Sequence, residues 1–135
     1  MLVIGELING MYQNVRKAIQ EKDKATIQKL AKDQVKEGAS VLDVNTGPAS
    51  ATPEDTMKWL VDSIQEAVDV PLALDSTKAN VIEAGLKLVK KPAIINSTSA
   101  DKEKLDVLLG LAKKYNSGII GLTMDKKGKI GRAHV

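Results

Sequence analysis

The sequence predicts an α/β fold in which a parallel sheet is covered by helices. Three observations carry that prediction. Short apolar runs recur along the chain: Leu2-Val3-Ile4, Val41-Leu42, Leu72-Ala73-Leu74, Ala93-Ile94-Ile95 and Ile119-Ile120. Between them lie stretches whose apolar residues fall at helical spacing. Three of the runs then pass straight into polar residues, Val41-Leu42 into Asp43-Val44-Asn45-Thr46-Gly47, Leu72 to Leu74 into Asp75-Ser76-Thr77, and Ala93 to Ile95 into Asn96-Ser97-Thr98. Strict alternation of short buried strands with amphipathic helices calls for parallel strands with helices over them. Repeated polar strand ends would then meet at one mouth.

The elements follow in order. The first strand, Leu2-Val3-Ile4, closes on Gly5-Glu6 and leads to Asn9. Ile27, Leu30, Ala31 and Val35 mark the helix after it, which ends at Gly38 because glycine readily takes the left-handed conformation that closes a helix. Val41-Leu42 is the second strand. Met57, Leu60, Val61, Ile64 and Val68 fall at i, i+3, i+4, i+7 and i+11 and mark the clearest helix. Its start is signalled by Thr52 as N-cap, Pro53 at the first helical position, and Glu54 and Asp55 where the helix dipole favours negative charge. Leu72 to Leu74 is the third strand, followed by a helix through Val81, Ile82, Leu86 and Val89. Ala93 to Ile95 is the fourth, followed by a helix through Leu105, Leu108, Leu109 and Ala112, and Ile119-Ile120 is the fifth. The order is β-α-β-α-β-α-β-α-β. It suits either part of an eight-stranded barrel or a complete open sheet. A whole barrel needs about 250 residues. The first turn, Gly5-Glu6-Leu7-Ile8-Asn9-Gly10, lacks the G-x-G-x-x-G of a dinucleotide-binding open sheet, which weighs towards the barrel.

Composition narrows the classes of function. With 135 residues and 43% apolar content the chain can bury one core. Its 20 basic and 17 acidic residues are scattered, and no basic stripe interleaved with aromatics appears, so nucleic acid is a poor partner. Cysteine is absent, which excludes disulfides and thiolate metal sites and fits a reducing cytoplasm. No metal-ligand cluster is visible. The N-terminus lacks the pattern of a signal peptide, and no run approaches the roughly 18 apolar residues of a membrane span. The sequence reads as cytoplasmic, away from membranes.

The C-terminal residues call for separate treatment. Ile130-Gly131-Arg132-Ala133-His134-Val135 follows a Lys/Gly-rich stretch, and those residues are also what ATC GGA AGA GCA CAC GTC encodes, a reading frame of a widely used short-read sequencing adapter. The expectation is therefore a partial barrel domain over residues 1–129 and a non-native, adapter-derived tail over 130–135, excluded from fold reasoning. The nucleotide record decides this. The chain's one histidine, His134, lies in that tail and takes no catalytic role.

The residues able to carry chemistry are Asp43, Asn45, Asp75 and Asn96 at or near strand ends, with Glu6 and Asn9 after the first strand. Without a Ser-His or Cys-His pairing they form no nucleophilic triad, and no catalytic residue is assigned. They suit recognition. Asp accepts two parallel hydrogen bonds, and Asn both donates and accepts, which matches a heterocycle whose edge alternates N–H groups and carbonyls. Pterins present such an edge. Asp43 and Asp75 as a general acid/base pair or hard-metal ligands is the other reading that spacing leaves open. Ser76, Thr77, Ser97 and Thr98 read as helix caps and turn residues. Trp59 reads as a helix-packing residue, and Met124 stands either at the barrel mouth or in the core.

With those positions laid out, the chain resembles the N-terminal half of the methyltetrahydrofolate:corrinoid/iron-sulfur protein methyltransferases, within the pterin-binding barrel family. The segments that carry the resemblance are Ile4-Gly5-Glu6-Leu7-Ile8-Asn9-Gly10, Leu42-Asp43-Val44-Asn45-Thr46-Gly47-Pro48, Leu74-Asp75-Ser76-Thr77, Ile95-Asn96-Ser97-Thr98 and Gly121-Leu122-Thr123-Met124. The pterin domain of cobalamin-dependent methionine synthase belongs to the same family. Dihydropteroate synthase is less similar, since its strand-end segments are replaced here by Gly10-Met11-Tyr12 and Thr46-Gly47-Pro48. The resemblance implies a (β/α)8 TIM barrel, of which this chain holds about five strands and four helices. It implies a homodimer that binds methyltetrahydrofolate and passes its N5 methyl to a cob(I)amide carried by a corrinoid protein. It also implies pterin contacts from Asp75 and Asn96, a place at the pocket floor for Asp43 and Asn45, and further pterin-binding residues from strands after the fifth. On that footing the chain is expected to be an inactive portion of the parent enzyme. A stand-alone pterin-binding half-barrel is the alternative class.

Overall fold

A computed structural model describes residues 1–99 and 101–122 of the chain. Ten elements run in the order β1 (Ile4–Asn9), α1 (Gln13–Glu21), α2 (Lys24–Lys36), β2 (Val41–Asn45), α3 (Pro53–Gln65), β3 (Leu72–Asp75), α4 (Ala79–Leu86), β4 (Ile94–Thr98), α5 (Lys102–Lys114) and β5 (Gly118–Gly121). The expected α/β alternation is present, with five helices where the sequence reading placed four. The extra helix is α1, whose buried side chains are only Val15 and Ala18, a stripe too short to stand out among its Lys, Arg and Gln neighbours. The first strand also shifts. It begins at Ile4 and runs through Asn9, so Glu6 and Asn9 lie within it, while Leu2 and Val3 are 62% and 42% exposed.

All five strands are parallel and lie side by side in chain order, β1-β2-β3-β4-β5. That order settles the choice left open by alternation alone. Parallel crossovers are right-handed, so a sheet whose order never reverses receives every helix on one face. An open doubly wound sheet reverses its order and carries helices on both faces. The core agrees with the first arrangement. Leu42, Val44, Leu72, Leu74 and Ile95 from the strands share one apolar cluster with Val15, Ile27, Leu60, Ile82 and Leu108, one residue from each helix. This is the layering of a (β/α) barrel, represented here by five strands.

Because side chains alternate along a strand, the other face collects the residues between those core positions. Asp43 and Asn45 follow one another there on β2, Ala73 and Asp75 on β3, and Ile94 and Asn96 on β4. The register then aligns Asn9 with Asn45, Asn45 with Asp75, and Asp75 with Asn96. One transverse row of amides and a carboxylate thus crosses four strands near their C-terminal ends.

Local signals explain the helix ends. Pro53 opens α3 with Glu54 and Asp55 in its first turn; Thr52 takes the N-cap position but its hydroxyl makes no capping bond. Asp23 caps α2 by accepting from the Thr26 N–H at 3.2 Å, and Gly38 closes the turn after α2 at φ +108°. β1 carries an irregularity between Gly5 and Ile8. Gln34 of α2 fits it, accepting the Leu7 N–H at 3.0 Å. No helix among the described residues is long and apolar enough to cross a membrane.

Candidate functional site

A cavity of about 510 Å³ opens at the C-terminal ends of β2 and β3, within the size range of small-molecule sites and at the end of a barrel where active sites form. Its wall includes Asn45, Thr46, Gly47 and Pro48 from the β2 end, Asp75 to Lys78 from the β3 end, and Met11, Ser50 and Pro53. The loops that form it are held close by glycines. Gly10 donates its N–H to the Asn45 carbonyl at 2.9 Å, binding the β1 and β2 ends together. A Cβ on Gly10 would stand 2.2 Å from the Thr46 carbonyl oxygen, and one on Gly47, at φ +75°, would stand 2.6 Å from the Gly10 carbonyl carbon. Both positions therefore exclude side chains.

The polar side chains are paired on diagonals. Asn45 donates from Nδ2 to Asp75 Oδ2 at 2.9 Å, and its Oδ1 accepts the Gly47 N–H at 2.7 Å. Both ends of that amide are thereby fixed. Asn96 donates from Nδ2 to Asp43 Oδ2 at 2.7 Å. Asp43 is 3% exposed, whereas Asp75, Asn45 and Asn96 are half-buried. Burial pushes the Asp43 carboxyl up to about 7, the hydrogen bond from Asn96 opposes that rise, and the charges of Asp75 and Glu6 add to it.

Asn45 and Asp75 thus stand in the cavity wall, while Asp43 and Asn96 form a pair beside it on the same face of the sheet. Glu6 is exposed on β1, close enough for its charge to act on Asp43. Asn9 ends β1 and accepts the Met11 N–H through Oδ1 at 2.9 Å, shaping the turn that brings Met11 to the cavity. Met124 and the tail from Ile130 lie outside the described residues. Ser76 accepts the Lys78 N–H at 3.1 Å and so serves a turn. The residue that caps α5 is Asp101, which accepts from the Glu103 N–H at 3.3 Å, in place of the Ser97 and Thr98 expected there. Trp59 is a packing residue, partly buried against the core with Lys22 5.0 Å above its ring. Sequence reasoning missed Met11 and Lys78 as cavity residues, and it quoted Gly10 and Gly47 without a role. Asn9-Gly10 and Thr46-Gly47-Pro48, turn-forming pairs directly after strands, were the available signal.

What this arrangement can do is bind a flat polar ligand edge through carboxylate and amide groups, with cavity room for the rest of the molecule. A model of the family described as "Pterin binding enzyme" matches residues 9–134. The chain is 39% identical over 130 residues to a methylcorrinoid:tetrahydrofolate methyltransferase of Eubacterium limosum, a match covering 95% of this chain and 48% of that protein. It is 27% identical over 135 residues to a methionine synthase of Mycobacterium tuberculosis, covering 96% of this chain and 11% of that one. The chain therefore spans about half the length of the first relative and a smaller share of the second.

Proposed function

The chain belongs to the pterin-binding enzyme family, and from that premise we propose that it is the N-terminal part of a methyltransferase that moves a methyl group between N5 of tetrahydrofolate and a corrinoid held by a partner protein. The observation that carries this reading is the row of Asn45, Asp75 and Asn96 on three adjacent strands, with the first two in the wall of the cavity. Asp75 and Asn96 would hold the pterin edge, and Asp43 and Asn45 would form the floor beneath it. Glu6, Asn9 and Met124 are more peripheral candidates.

A corrinoid held by the partner protein would supply or accept the methyl group. The protein's own work is to bind and orient. A tertiary amine at N5 leaves poorly unless charge developing on the ring is stabilised, and fixed hydrogen-bonding groups in a water-poor pocket do that without reorganising. No nucleophilic side chain is needed in this scheme. The 39% identical relative is named with methylcorrinoid as donor, the reverse of the direction implied by the resemblance. One site serves both directions, because forward and reverse transfer share a transition state. The partner would be a corrinoid/iron-sulfur protein; a cobalamin-carrying domain, as the methionine synthase match suggests, is the second reading. A homodimeric parent and a cytoplasmic location complete the proposal.

Calorimetric titration tests it. Methyltetrahydrofolate should bind in preference to dihydropterin pyrophosphate, and Asp75→Ala should weaken binding at least tenfold, since a charged hydrogen-bonding group is worth about 1.5–3 kcal/mol. Preference for the pyrophosphate would point instead to a synthase. The 135-residue chain alone should show no methyl transfer to cob(I)alamin, and measurable turnover would contradict its being a part of the catalytic unit.

A further inference from the structure

The cavity wall carries two charged side chains of opposite sign, Asp75 at the end of β3 and Lys78 on the loop that follows. That loop is fixed at both ends. Ser76 donates its N–H to the Asn96 carbonyl at 3.2 Å, and its Oγ accepts the Lys78 N–H at 3.1 Å. Asp75 has a partner in Asn45 at 2.9 Å. Lys78 is exposed, and among the described residues its ammonium forms no ion pair. The acidic residues in the first turn of α3, which also lends Pro53 to the wall, are engaged elsewhere: Asp55 with Lys58 at 3.8 Å, and Glu54 as acceptor of the Asn80 amide. The same wall offers apolar surface from Met11, Pro48 and Pro53. Met11 is 63% exposed, yet its backbone is clasped by the Arg16 guanidinium, which donates to the Gly10 carbonyl at 3.3 Å and to the Met11 carbonyl at 3.0 Å.

A carboxylate, an apolar wall and an unpaired ammonium in one cavity match a ligand with three parts: N–H donors, an apolar middle and an anion. A pterin ring supplies only the first. Resting on the pterin-site reading above, we propose that the cavity extends into a tail subsite, in which Lys78 pairs with a carboxylate of the substrate's tail while Met11, Pro48 and Pro53 contact the linking ring. Tetrahydrofolate has that layout, its pterin being joined through an aminobenzoyl ring to a glutamate. Lys78 is then a specificity-determining residue. It acts on affinity for the anionic tail and leaves methyl transfer itself alone. Because the ammonium stands in water, the pairing is modest and weakens with salt.

Three probes separate the tail subsite from the pterin site: methyltetrahydrofolate, a 5-methyltetrahydropterin lacking the tail, and p-aminobenzoylglutamate alone. Each is titrated into the 135-residue chain by calorimetry and by NMR of the backbone amides. Lys78→Gln removes the charge and keeps a side chain of similar reach. It should weaken methyltetrahydrofolate about fivefold, the upper end for an exposed ion pair, and leave the tail-less pterin unchanged. Lys78→Glu should weaken methyltetrahydrofolate further, and Lys78→Arg should restore it. p-Aminobenzoylglutamate should move the signals of Thr77 and Lys78 in the unsubstituted chain and fail to do so in Lys78→Gln. Equal losses for methyltetrahydrofolate and the tail-less pterin, or no loss for either, would overturn the proposal. Lys78-dependent binding of p-aminobenzoylglutamate with no binding of either pterin would sink the pterin reading and leave the anion subsite standing; no binding by any of the three would overturn both.

Discussion

Leu74 and Asp75 are neighbours on β3 and serve opposite ends. Leu74 is fully buried, its Cδ1 so near Gly85 of α4 that a Cβ there would stand 2.8 Å away. Asp75 faces the other way, into the cavity, braced by Asn45. The helix-covered face is apolar and general: any well-packed set of aliphatic side chains could hold it together. The inner face is polar and particular, because Asn9, Asn45, Asp75, Asn96 and Asp43 each have a named partner at hydrogen-bonding distance. One chain segment thus builds the apolar core on one side and the polar cavity wall on the other.

The contrast is broken most strongly at the pair itself. Leu74→Ala should cost about 3 kcal/mol of unfolding free energy through lost burial and an unfilled space beside α4. Urea unfolding checks that. Asp75→Ala should change stability by about 1 kcal/mol or less, since it removes one hydrogen bond and also a like charge near Asp43, yet it should abolish most ligand binding. Equal stability losses at the two positions would show that the two faces are not separable in this way.

A pH series sharpens the same contrast with a smaller effect. The Asp43 carboxyl rises from 3.8 to about 7 on folding, so between those values the folded state binds more protons than the unfolded one. Stability therefore falls as pH increases through that window. The loss between pH 5 and 8 should be on the order of 1–3 kcal/mol, and Asp43→Asn should flatten it. Urea midpoints at several pH values provide the measurement.

At the surface the effect shrinks again. Lys24 Nζ lies 3.1 Å from Glu66 Oε2, linking α2 to the residue that ends α3, with side chains 45% and 52% exposed. Screening by water leaves such pairs weak. Lys24→Ala should shift stability by about 0.5 kcal/mol or less in thermal unfolding.

The two faces also differed in how readily they could be read from sequence. Helix-facing positions announced themselves by periodicity: of the stripe Met57, Leu60, Val61, Ile64 and Val68, the first four are buried on α3, while Val68 packs partly buried just beyond its end. Exceptions arose where the pattern was short or interrupted. Val15 and Ala18 gave α1 too small a stripe, and β1 was misplaced because its irregularity at Glu6 and Leu7, held by Gln34 from α2, interrupts the period-two pattern. On the inner face the residue types were legible, since Asp43, Asn45, Asp75 and Asn96 follow apolar runs. Their pairing was not. Asn45 meets Asp75 across 30 residues and Asn96 meets Asp43 across 53, contacts fixed by strand register rather than by local sequence. The interlocked Gly10 and Gly47 turns were hidden for the same reason.

The central claim, that this polar face is half of a pterin pocket, is tested most directly by titrating methyltetrahydrofolate into the isotope-labelled chain and mapping the amide signals that move. The account predicts shifts at Asn45, Gly47, Asp75 and Asn96, with the helix-facing residues unmoved, and loss of those shifts in Asp75→Ala. Shifts confined to the helices, or a pattern unchanged by Asp75→Ala, would contradict it.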